Sequence, residues 1–335
     1  MTDVPADART AEGRGRVSRL LAIGWPYLAI VLYTVAFSAI VMSQVVLPED
    51  LNEAAARPSP RVAITFDDLP WNGPGYSDAE IAGLTDTLLA TLTARGVPAT
   101  GLVTCREIRD GASFLRKWLD AGMELGNHSF SHQDLNSTPV DEWLADVRRC
   151  DAAVREVVGG PVRWFRYPML HQSDDRAIRD SVAHTLQRWG YANAHVTIDN
   201  SEWLLARAYD IAMRERDEAE EAAIVEAYVG HLREAADHFR ATGRDKFGRE
   251  VDHVLLLHAN AIAARHIGEV LDVLEADGFT IASLEEVLSD PIYARVDEYV
   301  GPTGLSWIYR AAPLSPDDPW DDIAEEALTA RFRWR

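Results

Sequence analysis

The run RVAITFDDLPW at residues 61–71 carries an apolar, β-favouring stretch straight into two adjacent carboxylates, Asp67 and Asp68. Its first six residues read as a strand, and a β/α protein places its reactive groups on the loops that follow such strands. Two neighbouring carboxylates there repel each other unless a cation or a proton lies close by. Similar runs follow at 99–104 (ATGLVT), 122–127 (GMELGN), 162–167 (VRWFRY), 194–198 (AHVTI), 253–258 (HVLLLH) and 279–284 (FTIASL). Amphipathic stretches separate most of them and predict helices over 78–95, 140–158, 174–189 and 261–277, the first capped by Ser77 or Asp78. Strands alternating with helices make an α/β fold, a parallel sheet or barrel with helical crossovers.

One interval breaks this rhythm. Residues 204–250 insert a long Ala-, Glu- and Arg-rich segment where one crossover helix would suffice, and its pattern predicts a helical hairpin, 205–216 and 218–242, with charges outward. Such a hairpin serves as a lid or brace on the sheet, or as an arm for a partner. At the other end, the 23 residues 20–42 hold no charge, which is membrane-spanning length rather than the shorter core of a secretory signal. Arginines 9, 14, 16 and 19 precede it, so residues 1–19 are expected in the cytoplasm and the rest outside. The expected organisation is a cytoplasmic segment 1–19, a single-pass anchor or uncleaved signal 20–43, a linker 44–60, a catalytic domain 61–290 and a C-terminal extension 291–335. Cleavage of the signal would instead give a secreted protein.

The 335 residues, 47% hydrophobic and 26% charged, are enough for a sizeable core. A formal charge of −20 repels a phosphate backbone and excludes nucleic acid as a natural partner. Two cysteines, Cys105 and Cys150, allow at most one bridge and no all-cysteine zinc site.

Four further clusters carry chemistry. GNHSFSH (126–132) sets His128 and His132 four apart, and on a helical turn that spacing puts both imidazoles on one face. With Asp68 they would supply three metal ligands and leave a position open for water, as a catalytic zinc requires. WFRYPML (164–170) ends a strand on Arg166, a residue that holds a carboxylate in a fixed orientation. TIDNSEW (197–203) supplies Asp199, Glu202 and Trp203, and VLLLHAN (254–260) brings His258 out of a buried strand at the mouth of the sheet.

In order and spacing, TFDD, HSFSH, RYP, DNSEW and LLLH resemble the five motifs of the polysaccharide deacetylase family, also called the NodB homology domain or carbohydrate esterase family 4. The resemblance spans about residues 61–290 and implies a distorted (β/α) barrel with a divalent metal, usually zinc, at the C-terminal ends of the strands. It implies Asp67 as catalytic base, oriented by Arg166, and Asp68, His128 and His132 as metal ligands. His258 is implied as general acid with Asp199 or Glu202 as its partner. Leu256 would line the acetyl pocket, Met169 would offer its backbone N–H to the oxyanion, and Trp71 and Trp203 complete the candidate substrate contacts. Two motifs depart from the family pattern: Met169 and Leu170 stand where an aromatic residue and glycine are common, and Glu202 where an aspartate usually precedes the tryptophan. The expected function is removal of acetyl groups, chiefly N-acetyl, from an envelope or extracellular carbohydrate. The alternatives are a deformylase or deacetylase of a lipid-linked sugar and, in another class, a non-catalytic carbohydrate-binding module, disfavoured because base and acid are both present beside the ligands.

Overall fold

Residues 59–108, 112–315 and 321–332 are described by the structure, a computed structural model, and all belong to the unit Ala54–Arg335. The uncharged stretch at 20–43 lies outside the described residues. Among those that are described, no helix is long and apolar enough to cross a membrane.

Strand β1 (Arg61–Leu69) is buried along nearly its whole length, the mark of a parallel strand covered on both faces. Helix α1 (Asp78–Ala94) follows, started by a reciprocal Ser77–Glu80 capping box. Next come β2 (Ala99–Val103), the short α2 (Ser113–Asp120), β3 (Glu124–Asn127) and α3 (Val140–Val158), which stops at Gly159 in the left-handed region. The chain continues through β4 (Trp164–Phe165), α4 (Arg176–Arg188) and β5 (Ala192–Asn193). Helices α5 (Glu202–Glu215) and α6 (Glu218–Phe247) precede β6 (His253–His258), α7 (Ala261–Ala276), β7 (Thr280–Ile281) and α8 (Leu284–Leu288). Two helices, α9 (Trp307–Arg310) and α10 (Asp321–Arg331), lie in the C-terminal extension.

The strands run parallel in the order β5-β4-β3-β2-β1-β6, with β7 also paired to β1. The run 194–198, expected as a strand, is instead an irregular return beyond β5. It touches β6 through a parallel bridge of Ile198 to Leu255 and the Thr197 N–H to the Val254 carbonyl, so the row of strands curls back toward its own start. This curled parallel sheet with helices outside it is consistent with the NodB-type (β/α) fold.

The long segment between β5 and β6 is part of the main core. Ile224, Tyr228, Leu232 and Phe239 recur along one stripe of α6, and Leu204, Leu205, Ala208 and Tyr209 do so on α5. A hairpin anchored by so many buried side chains acts as a wall rather than a swinging arm.

Cys105, just after β2, is bonded to Cys150 on α3, with Cα atoms 5.3 Å apart and a sequence separation of 45. A link closing a loop of that length removes unfolded-chain entropy, so replacing both cysteines by alanine is expected to lower stability by about 2–4 kcal/mol. An unchanged urea midpoint would count against this.

Candidate active site

Thr65 and Asp67 lie two residues apart on β1 and so share one face of the sheet. The guanidinium of Arg166, wholly buried, donates from Nη1 to both, at 2.9 Å to Thr65 Oγ1 and 2.6 Å to Asp67 Oδ1, while its Nε donates to the Ala194 carbonyl. Strand alternation alone would send Asp68 to the opposite face. The register instead breaks between Phe66 and Leu69, and Asp68 sits in the left-handed region at φ 59°, which an aspartate tolerates. That local irregularity turns both carboxylates into one site. Thr104 and Asn72 then hold Asp68, each donating at 2.7 Å. Burial acts to raise the Asp68 carboxyl, but the charges of His128, His132 and His258 and the Thr104 hydrogen bond win, and it is held well below the usual carboxylate range.

The two histidines do not stand on a helical turn. They lie on the loop after β3, where Ser129 (φ 67°) and His132 (φ 56°) are left-handed and the Asp146 carboxylate accepts from the Phe130 and Ser131 N–H groups. The spacing of four thus brings the imidazoles together by a different route, with ring centroids 4.9 Å apart. His128 donates from Nδ1 to the Arg166 carbonyl at 2.9 Å, which leaves the Nε2 lone pair facing the carboxylates. Burial, then the neighbouring His128, pushes His132 down to about 4, so it is a neutral ligand near pH 7. One donor atom each from Asp68, His128 and His132 lies within 4.8 Å of the others. An oxygen and two imidazole nitrogens, with a hydrogen bond fixing one tautomer, fit a zinc-like divalent ion and leave coordination open for substrate or water.

Across the sheet, His258 ends β6 in register with Asp67. Its Nδ1 lies 2.9 Å from Glu202 Oε2, and Asn260 donates to the other oxygen of that buried carboxylate at 2.5 Å. Of the two acids left open as partner, Glu202 is therefore the one in contact. Asp199 makes no hydrogen bond to His258, accepts the Ser201 N–H instead, and is pushed up by burial. For His258 burial alone works downward, but the Glu202 hydrogen bond and charge, with Asp68 and Asp67, raise it to about 9.

Asp67, Asp68, His128, His132, Asp199 and His258 line one cleft of about 620 Å³. Leu256, packed with Leu170 and Val196, forms a small apolar floor, and Met169 and Trp203, each 41% exposed, stand on its walls. Trp71 departs from expectation: it is buried against Tyr76 at 5.3 Å between ring centroids and does not line the cleft. Asn72, Thr104 and Asn260 were not singled out in the sequence, although Asn260 is the cap of α7 directly after the LLLH run. The C-terminal extension also contributes, through Thr303, Gly304 and Glu325. At Gly304 a Cβ would collide with the Met169 carbonyl oxygen, so only glycine lets the extension close against this wall.

A curled parallel β/α sheet with an Asp-His-His donor set at the ends of its strands is consistent with the NodB-type class. Residues 54–192 match the family described as polysaccharide deacetylase. It is 29% identical over 146 residues to a chitooligosaccharide deacetylase of Sinorhizobium fredii, covering 43% of this chain and 60% of that protein. It is 24% identical over 181 residues to the peptidoglycan-N-acetylglucosamine deacetylase PgdA of Listeria monocytogenes, covering 54% of this chain and 35% of that protein. The chain thus spans less than two thirds of the length of either curated relative. A crystal structure of a mutant CE4 family pseudoenzyme superimposes with a TM-score of 0.50 at 17% identity, over 69% of this chain and 68% of that one.

Proposed function

We propose that the protein is a metal-dependent deacetylase that removes N-acetyl groups from a carbohydrate of the cell envelope or its surroundings. The observation that carries this reading is one cleft holding three separate pieces: a buried Asp67–Arg166 pair, the Asp68-His128-His132 donor set and the His258–Glu202 pair. A divalent ion, zinc by the chemistry of the donors, would be held by Asp68, His128 and His132 and would acidify water and polarise the acyl oxygen. Asp67, fixed by Arg166, accepts the proton of the attacking water. His258, kept protonated by Glu202, gives its proton to the departing amine nitrogen as the C–N bond breaks. The Met169 N–H would meet the developing oxyanion, and Leu256 with Leu170 and Val196 would receive the acetyl methyl group.

The uncharged stretch at 20–43 supports a site held at the outer face of the cytoplasmic membrane. Such a tether also suits a lipid-linked acylated sugar, which is the second reading. The test is acetate release from N-acetylated and O-acetylated oligosaccharides by zinc-loaded protein. Release abolished by a chelator and restored by zinc is the expected result. No release from any acetylated sugar, with metal bound, would sink the reading.

A further inference from the structure

Helix α5 presents Trp203, Ala206, Arg207 and Asp210 to the cleft. These positions are spaced i, i+3, i+4 and i+7 and form one helical face. Arg207 is the one lysine or arginine among the described residues lining the cleft. Asp67 is paired with Arg166, Glu202 with His258 and Asp134 with the cleft-lining His171, while Asp68 faces two imidazoles. Asp210, one turn on from Arg207, accepts the Tyr76 hydroxyl at 2.5 Å. Arg207 makes no ion pair with any described residue, and its Nη1 is buried with no hydrogen-bond partner.

A guanidinium nitrogen without a protein acceptor is costly, and the half-buried Arg207 side chain can offer a ligand oxyanion a charge-assisted hydrogen bond. At the α5 end of the cleft Arg207 is the one lysine or arginine among the described residues, with the Asp210 carboxylate one turn further along the helix. The chain as a whole carries −20, which repels a polyanion but is screened for a single oxyanion inside the cleft.

Resting on the deacetylase reading, we propose that α5 forms a substrate subsite in which Arg207 binds one oxyanion, a carboxylate or a phosphate, borne by the acylated sugar. Trp203, four residues earlier on the same face, supplies the apolar platform for the sugar ring. The substrate is therefore an acylated amino sugar carrying one acidic substituent rather than a neutral homopolymer.

The test uses the full-length, zinc-loaded protein and three probes. They are a neutral N-acetylglucosamine tetramer, a tetramer alternating N-acetylglucosamine with its carboxylate-bearing lactyl ether, and an alkyl phosphodiester of N-acetylglucosamine. Arg207→Met is expected to reduce the ratio of kcat/KM for one acidic probe over the neutral one by about 10–100-fold, mostly through KM, with Arg207→Lys in between. The acidic probe that shows the effect identifies carboxylate or phosphate as the group bound. A variant that lowers all three probes by one factor, or none, overturns the subsite and leaves the deacetylase reading intact. Absence of acetate release from all three by the parent protein overturns that reading and this inference with it.

Discussion

Asp67→Asn is expected to lower kcat for acetate release by about 10²–10⁴-fold while leaving the bound metal at the parent level. The carboxylate accepts the Arg166 Nη1–H through Oδ1 and has Oδ2 3.5 Å from His128 Nε2, so it stands beside the donor set without being part of it. Asparagine keeps an oxygen for Arg166 but cannot take up a proton from water. Its buried guanidinium neighbour also loses a compensating charge, so a lower Tm accompanies the loss of rate, and the variant must be shown to be folded at the assay temperature. Asp68→Asn should behave differently, with metal content falling first and activity following it. Metal analysis beside kcat separates the two: equal metal loss in both variants would show that Asp67 is a ligand and not the base.

How much of this was legible in the sequence depends on what each feature rests on. β6 emerges as HVLLLH because a strand buried on both faces leaves an unbroken aliphatic run, and helix 140–158 was visible through its apolar period. The donor set was visible as residue types but not as geometry. The pleat would separate Asp67 from Asp68, and only the register break and the left-handed Asp68 reunite them. Likewise the HSFSH spacing suggested a helix, whereas the loop is shaped by Asp146 and Ser129, partners that no local pattern reveals.

Contacts made across long sequence distances were hidden for the same reason. Choosing Glu202 over Asp199 required knowing where α5 begins relative to β6, three residues of difference that decide which carboxylate reaches His258. The wall built from Thr303 and Gly304 depends on an extension whose composition gives no sign of the cleft. Its anchors are the Ser306 hydroxyl on the Thr197 carbonyl and the Trp307 N–H on the Val196 carbonyl, more than 100 residues away in each case. Arg207 fell within a stretch that reads as a solvated, charged helix, and only packing shows that this face meets the active site.

Glu202→Gln is expected to move the alkaline limb of the kcat profile to lower pH by about one unit or more. His258 must be protonated to deliver its proton to the leaving nitrogen, so activity is present below its pKa and lost as pH rises through it. In the folded protein that pKa is raised to about 9, because Glu202 and the nearby aspartates outweigh the burial that opposes the charged form. Glutamine occupies the same space and can still meet Asn260, but it carries no charge to stabilise an imidazolium. Burial then dominates, His258 loses its proton at lower pH, and the optimum narrows from the alkaline side while the acid limb stays in place. His258→Gln removes the acid itself and should cost about 10²–10⁴-fold at every pH. Asp199→Asn serves as the contrast, since no hydrogen bond joins it to His258. If that variant shifts the alkaline limb as far as Glu202→Gln does, the effect is a diffuse field of the acidic cleft rather than the 2.9 Å contact with Glu202.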